Sequence, residues 1–117
     1  MSTLNRRFDS RLPMEMYLNA YVHDELQRGF TTNISETGIF LNTLMHDRLP
    51  PLTTVGLEFT LPGINETIWA AGEIRFDAMD SYFLGRGISF TAMAVRHARM
   101  LRHYCYHLRA TNRRRTH

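Results

Sequence analysis

Two short constellations in this sequence carry groups able to hold an anion or a purine edge: Arg7-x-x-x-Arg11 and Asn33-x-Ser35-x-x-Gly38. A guanidinium is a planar fork. It can bridge a phosphate through two hydrogen bonds, pair with O6 and N7 of guanine, or stack on a base face. Two arginines four residues apart can therefore reach different parts of one ligand. Asn33 and Ser35 offer a short amide and a hydroxyl, suited to hydrogen-bonding a guanine edge and to bracing a turn. Gly38 has no Cβ, so the backbone there can turn sharply or approach a ligand closely. Each constellation alone has a plainer meaning. The arginines could form a solvated basic arm, and Asn, Ser and Gly are ordinary turn residues.

Other groups carry less. His103 and His107 stand four apart, a spacing that can hold a metal. No acid joins them between residues 96 and 117, and the pair reads as a solvated face, so no metal is expected. Cys105 reads as core and Trp69 as packing against the fold. Arg86 reads as a surface residue. The chain has no phosphate-cradling Gly-rich loop before a helix, no nucleophile elbow and no acidic pair in a motif context, so the expectation is a protein that is not an enzyme.

The elements that would position these groups follow from hydrophobic period. From Met14 the pattern alternates, with Met14, Met16, Leu18, Ala20 and Val22 on one face and Glu15, Tyr17, Asn19 and Tyr21 on the other, which describes a half-buried strand. His23-Asp24-Glu25 reads as a turn. Further strands are predicted over about 28–34, 39–43, 55–61, 67–76 and 82–90, with Gly72 a bulge or bend. Pro50-Pro51 and Pro62-Gly63 mark loops. Six short strands with turn signals at this spacing predict a mainly β fold, a small antiparallel barrel. After Thr91, read as a helix N-cap, the period changes. Ala94, Ala98, Leu101, Cys105 and Leu108 fall on one helical stripe. The predicted organisation is a flexible arginine-rich leader over 1–12, a barrel with its C-terminal helix over 13–111, and a basic tail over 112–117.

Composition bounds the rest. A chain of 117 residues with 44% apolar and aromatic content supports one modest core. No apolar run is long enough to span a membrane, and the N-terminus has no secretory pattern. The single cysteine cannot form an internal disulfide, which fits a reducing compartment and a cytoplasmic location. The net charge of +3 is unevenly spread: seven arginines and all eleven acids precede residue 96, and seven arginines with no acid follow. That basic end suits an acidic partner, although such tails are commonly solvated.

The two constellations, in this order and at this separation, resemble the signature of the PilZ domain family. Arg6-Arg7-Phe8-Asp9-Ser10-Arg11 looks like the family's arginine motif, with its doubled arginine. Asn33-Ile34-Ser35-Glu36-Thr37-Gly38 is similar to the second motif. Gly72-Glu73-Ile74 and Gly87-Ile88-Ser89-Phe90 resemble the later strands. The long arginine tail is not part of the family pattern.

That resemblance implies a six-stranded PilZ-like β-barrel with a C-terminal helix, acting as a bacterial receptor for cyclic di-GMP. It places ligand contacts on Arg7, Arg11, Asn33, Ser35 and Gly38, with Arg6 a contact or an influence on ligand stoichiometry. No further cofactor is implied. The expected mechanism is a leader that clamps the ligand against the Asn33–Gly38 turn and signals to an unidentified downstream protein in motility, biofilm formation or virulence. The chain is expected to be a monomer or homodimer with no membrane attachment. Two rival functions remain open. One is a PilZ-fold adaptor that binds protein and no nucleotide, against which the intact motifs argue. The other is nucleic-acid binding through the basic helix, for which the charge suffices but no single strand face shows a run of exposed aromatics.

Overall fold

A computed structural model of the chain describes residues 12–44, 49–79 and 83–115; Arg6, Arg7 and Arg11 lie outside the described residues. Six strands precede one helix: β1 (Leu12–Val22), β2 (Glu25–Ile34), β3 (Gly38–Leu44), β4 (Thr54–Thr60), β5 (Thr67–Met79), β6 (Phe83–Met93) and α1 (Val95–Arg115). The strands close as β1-β2-β3-β6-β5-β4, every pair antiparallel. Closure leaves no open edge among the described strands to pair with another chain.

The alternation predicted for β1 is what fills the barrel. Met16, Leu18, Ala20 and Val22 are buried inside, opposite Val55, Leu57 and Phe59 of β4 and alongside Ile39, Leu41, Ile68, Ile74 and Ile88. Burying one such side chain fully contributes roughly 1.5–3 kcal/mol, so the period-2 pattern is the main determinant of register. The first hairpin is tighter than expected. His23 and Asp24 both take positive φ, 52° and 64°, as a two-residue type I′ connection requires, and β2 starts at Glu25 because Glu25 pairs with Val22. Between β4 and β5 the Pro62-Gly63 pair makes a type II turn. Gly63 has φ 80° and the Ile64 amide donates to the Leu61 carbonyl at 3.0 Å. Gly72 sits at a register shift between β5 and β6, the bulge expected there.

Two expectations are corrected. Thr91 does not cap the helix, because β6 continues past it: Ala92 pairs with Ala71 and Met93 with Ala70. The helix starts at Val95 and runs through Arg115. Its first turn carries no acid and Ala94 is a poor cap. Glu66, brought in by the β4–β5 turn, supplies the missing negative charge. Arg96 grips its carboxylate with two bonds, Nε to Oε2 at 2.8 Å and Nη2 to Oε1 at 2.6 Å. His97 Nδ1 accepts the Trp69 backbone N–H at 3.3 Å, so the proton is on Nε2, which donates to Glu66 at 3.3 Å. Leu101 and Cys105 are buried in the core, as the helical stripe predicted.

The second correction concerns Arg86, which is only 1% exposed. It stands opposite Leu41 of β3 and two residues from buried Ile88, so the strand turns it inward, and its Nη1 donates to Gln27 Oε1 at 3.0 Å. Position in the pleat outweighed charge. No helix among the described residues is long and apolar enough to cross a membrane.

Candidate ligand-binding site

The second motif occupies the β2–β3 turn, and its own side chains shape it. The Ser35 amide donates to the Gly38 carbonyl at 2.9 Å, closing the turn. The Thr37 amide donates to Ser35 Oγ at 3.2 Å, and Ser35 Oγ lies 3.2 Å from Thr37 Oγ1. Ser35 is buried, so its hydroxyl braces the turn from beneath. The Phe90 amide donates to the Thr37 carbonyl at 2.9 Å and ties the turn to β6. The missing Cβ of Gly38 permits a close approach to that same strand: a Cβ there would stand 2.5 Å from the Ile88 carbonyl oxygen.

Asn33 is positioned by an irregularity in β2. Thr32 and Asn33 fall in a register shift, between the Thr31–Leu41 and Ile34–Ile39 pairs. Thr31, fully buried, donates its hydroxyl to the Asn33 carbonyl at 2.7 Å and accepts the Asn33 amide at 3.2 Å. Such bulges re-aim a side chain. The first residues of β1 run past this point, with Leu12 opposite Ile34 and Pro13 opposite Asn33. The chain therefore enters the barrel at the motif, and Arg11 is the residue immediately before Leu12. The turn brings Asn33, Ser35 and Gly38 together.

An aromatic surface adjoins the turn. Along β3, Phe40 follows Gly38 by two residues and shares its outward parity. Phe40 pairs with Gly87 of β6, and Gly87 with Phe76 of β5. The Phe40 and Phe76 rings are 6.1 Å apart at 35°, and Phe76 is 48% exposed. An exposed ring face of this kind can take a stacked base. Elsewhere Tyr17 meets Phe30 edge-on at 6.4 Å and Tyr21 stacks on Trp69 at 6.2 Å. The aromatics are thus gathered across strands rather than along one, which is why a strand-by-strand reading missed them. Trp69 is half-exposed on that outer wall.

Charge at the turn comes from the helix. Arg109 Nη2 donates to Glu36 Oε1 at 2.6 Å, and this hydrogen bond holds the Glu36 carboxyl below its ordinary range while raising Arg109. Arg102 acts on Glu36 in the same direction. An open groove of about 610 Å3 lies on the wall of β1, β2 and β4, lined by Tyr17, Asn19, Arg28, Phe30 and Glu58 among others. The motif turn is outside it. Asn19 and Tyr21 both donate to Glu58 Oε1, at 3.1 and 3.0 Å. His103 and His107 are exposed with Nε2 atoms 3.0 Å apart, and no group of three or more His, Cys, Asp or Glu among the described residues could hold a metal.

Residues 5–107 match the family model described as the PilZ domain. No curated protein matches the chain. Solved structures with the same fold include the Bacillus subtilis inhibitor of motility MotI/DgrA, at 18% identity and TM-score 0.80, covering 89% of this chain and 51% of that one. The chain thus spans about half the length of MotI. The PilZ domain of CeSA from a cellulose-synthesizing bacterium matches at 17% identity and TM-score 0.65, covering 85% of this chain and 97% of that one. The PilZ domain of YcgR from Escherichia coli, solved with c-di-GMP, matches at 10% identity and TM-score 0.68, covering 91% and 93%.

Proposed function

The chain belongs to the PilZ domain family, and we propose that within it this protein is a cytoplasmic receptor for cyclic di-GMP that passes ligand occupancy to a downstream protein. The observation that carries this reading is the entry of β1 at the motif, with Pro13 opposite Asn33. That entry supports a site in which the Arg7-x-x-x-Arg11 segment, which precedes Leu12 in the sequence, works with the turn formed by Asn33, Ser35 and Gly38. The ligand's chemistry fits what lies there. Its phosphates suit the arginine forks of Arg7 and Arg11, its guanine edges suit the Asn33 amide, and its base faces suit the Phe40–Phe76 surface beside Gly38. Arg6 either contacts ligand or sets how many molecules stack.

The mechanism in this reading is an order change. The segment carrying Arg7 and Arg11 folds over the ligand, pinning it against the turn and the aromatic rings. The surface so formed is what a partner reads. YcgR was solved with c-di-GMP and MotI is an inhibitor of motility, which supports motility control as the process this protein serves.

The test is calorimetric titration of Arg7→Ala, Arg11→Ala and Asn33→Ala with cyclic di-GMP. Hydrogen bonds to charged groups contribute about 1.5–3 kcal/mol each. Each arginine variant should therefore lose about tenfold in affinity or more, and Asn33→Ala somewhat less. Unchanged affinity in both arginine variants overturns the proposed site.

A further inference from the structure

Glu36, the residue between Ser35 and Thr37, is the one acid in the motif turn, and the group that neutralises it comes from the far end of the chain. Arg109 Nη2 donates to Glu36 Oε1 at 2.6 Å, with the two side chains 26% and 31% exposed. The contact is therefore accessible to a competing anion. It also uses only one of the five donor hydrogens of the guanidinium. Arg102 lies seven residues before Arg109, two turns along the same face, and it too acts on Glu36. Cys105, between them on that face, is buried in the core, as is neighbouring Leu101. Packing thus fixes where α1 presents both arginines.

An arginine held, among the described residues, by one hydrogen bond to a carboxylate about a third exposed can exchange one anion for another at little cost, because both partners present paired oxygens to the same fork. A dianionic ligand arriving at this turn meets attraction from Arg109 and Arg102 and repulsion from Glu36. Resting on the receptor reading above, we propose that Arg109 is a third arginine of the ligand site: a phosphate of cyclic di-GMP displaces the Glu36 carboxylate from the Arg109 guanidinium. Glu36 then competes with the ligand and sets its affinity, and the exchange transmits occupancy of the turn to the C-terminal half of α1.

This account has a signature that a purely structural ion pair lacks. Removing the two partners of a structural pair changes affinity in the same direction, because either change loosens the same contact. Here the directions are opposite. Glu36→Gln should tighten cyclic di-GMP binding by about threefold to tenfold, and Arg109→Gln should weaken it by about tenfold. Arg109→Lys keeps the charge but not the fork and should fall between wild type and Arg109→Gln.

The experiment is titration of the full chain and these three variants, with thermal melting of each to confirm folding. Should Arg109→Gln unfold, the signs of Glu36→Gln and Arg109→Lys decide the matter. Wild-type binding with shifts of opposite sign supports the proposal. Wild-type binding with both shifts in one direction, or with no shift, overturns the third arginine and leaves the receptor reading standing. A wild type that does not bind overturns both.

Discussion

The ring of Phe76 lies over the backbone of Gly87, in the space that a side chain at position 87 would occupy. Covering a strand glycine with a neighbouring aromatic pins register. Here it also holds Phe76 against Phe40 beside the motif strand. Gly87→Ala should displace the ring and destabilise the protein by about 1–3 kcal/mol, measurable by urea unfolding. Wild-type stability in this variant would mean that the ring moves aside freely and is no fixed surface for a base.

Arg86 is sealed inside the barrel and bonded to Gln27 at 3.0 Å. Arg86→Ala removes most of a large side chain and deprives half-buried Gln27 of its donor. The expected loss is about 3 kcal/mol or more. Arg86→Met fills more of the volume and should cost less. Equal stability of the two variants in urea would place the whole effect in the lost hydrogen bond.

Ser35 acts beneath the motif turn, accepting the Thr37 amide. Ser35→Ala should lower stability by about 1 kcal/mol and also weaken cyclic di-GMP binding, since the turn that presents the ligand loses its brace. Reduced stability with unchanged affinity would confine Ser35 to a folding role.

The start of α1 should loosen in acid. The Arg96 hydrogen bond holds the Glu66 carboxyl down to about 2, so its folded-state value lies below the unfolded one, near 4.3. A depressed carboxylate contributes stability above the unfolded value and loses it progressively as pH falls toward about 2. Glu36 shifts in the same direction. Trp69, whose amide donates to His97 beside Glu66, reports the change by fluorescence. Its emission should shift between pH 4.5 and 2 in the wild type, and less in Glu66→Gln. An identical acid profile for the two proteins would remove Glu66 from the account.

How much of this was legible in the sequence depended on how local each signal was. The alternation of β1 and of Val55, Leu57 and Phe59 predicted the barrel interior directly, because burial follows strand period. The stripe through Leu101 and Cys105 predicted the helix face in the same way. The motif turn was found at its place between two strands. Arg86 follows the same alternation, since Leu84, Arg86 and Ile88 share one parity, but its charge points to the surface and competes with that signal. Thr91 has the chemistry of a cap, but β5 is long enough to pair with β6 as far as Met93. Arg109 and Glu36 are 73 residues apart, and Phe40 meets Phe76 only because β3 and β5 both flank β6. No spacing rule encodes such pairs; they emerge once the strand order is known.

The measurement that bears most directly on the central claim is isothermal titration of the wild-type protein with cyclic di-GMP, with GTP as control. The account predicts binding at micromolar or tighter affinity, absent for GTP, with the stoichiometry returned by the same curve. No binding of cyclic di-GMP by calorimetry and by a second method would contradict it, and would leave a PilZ-fold adaptor whose ligand is another protein.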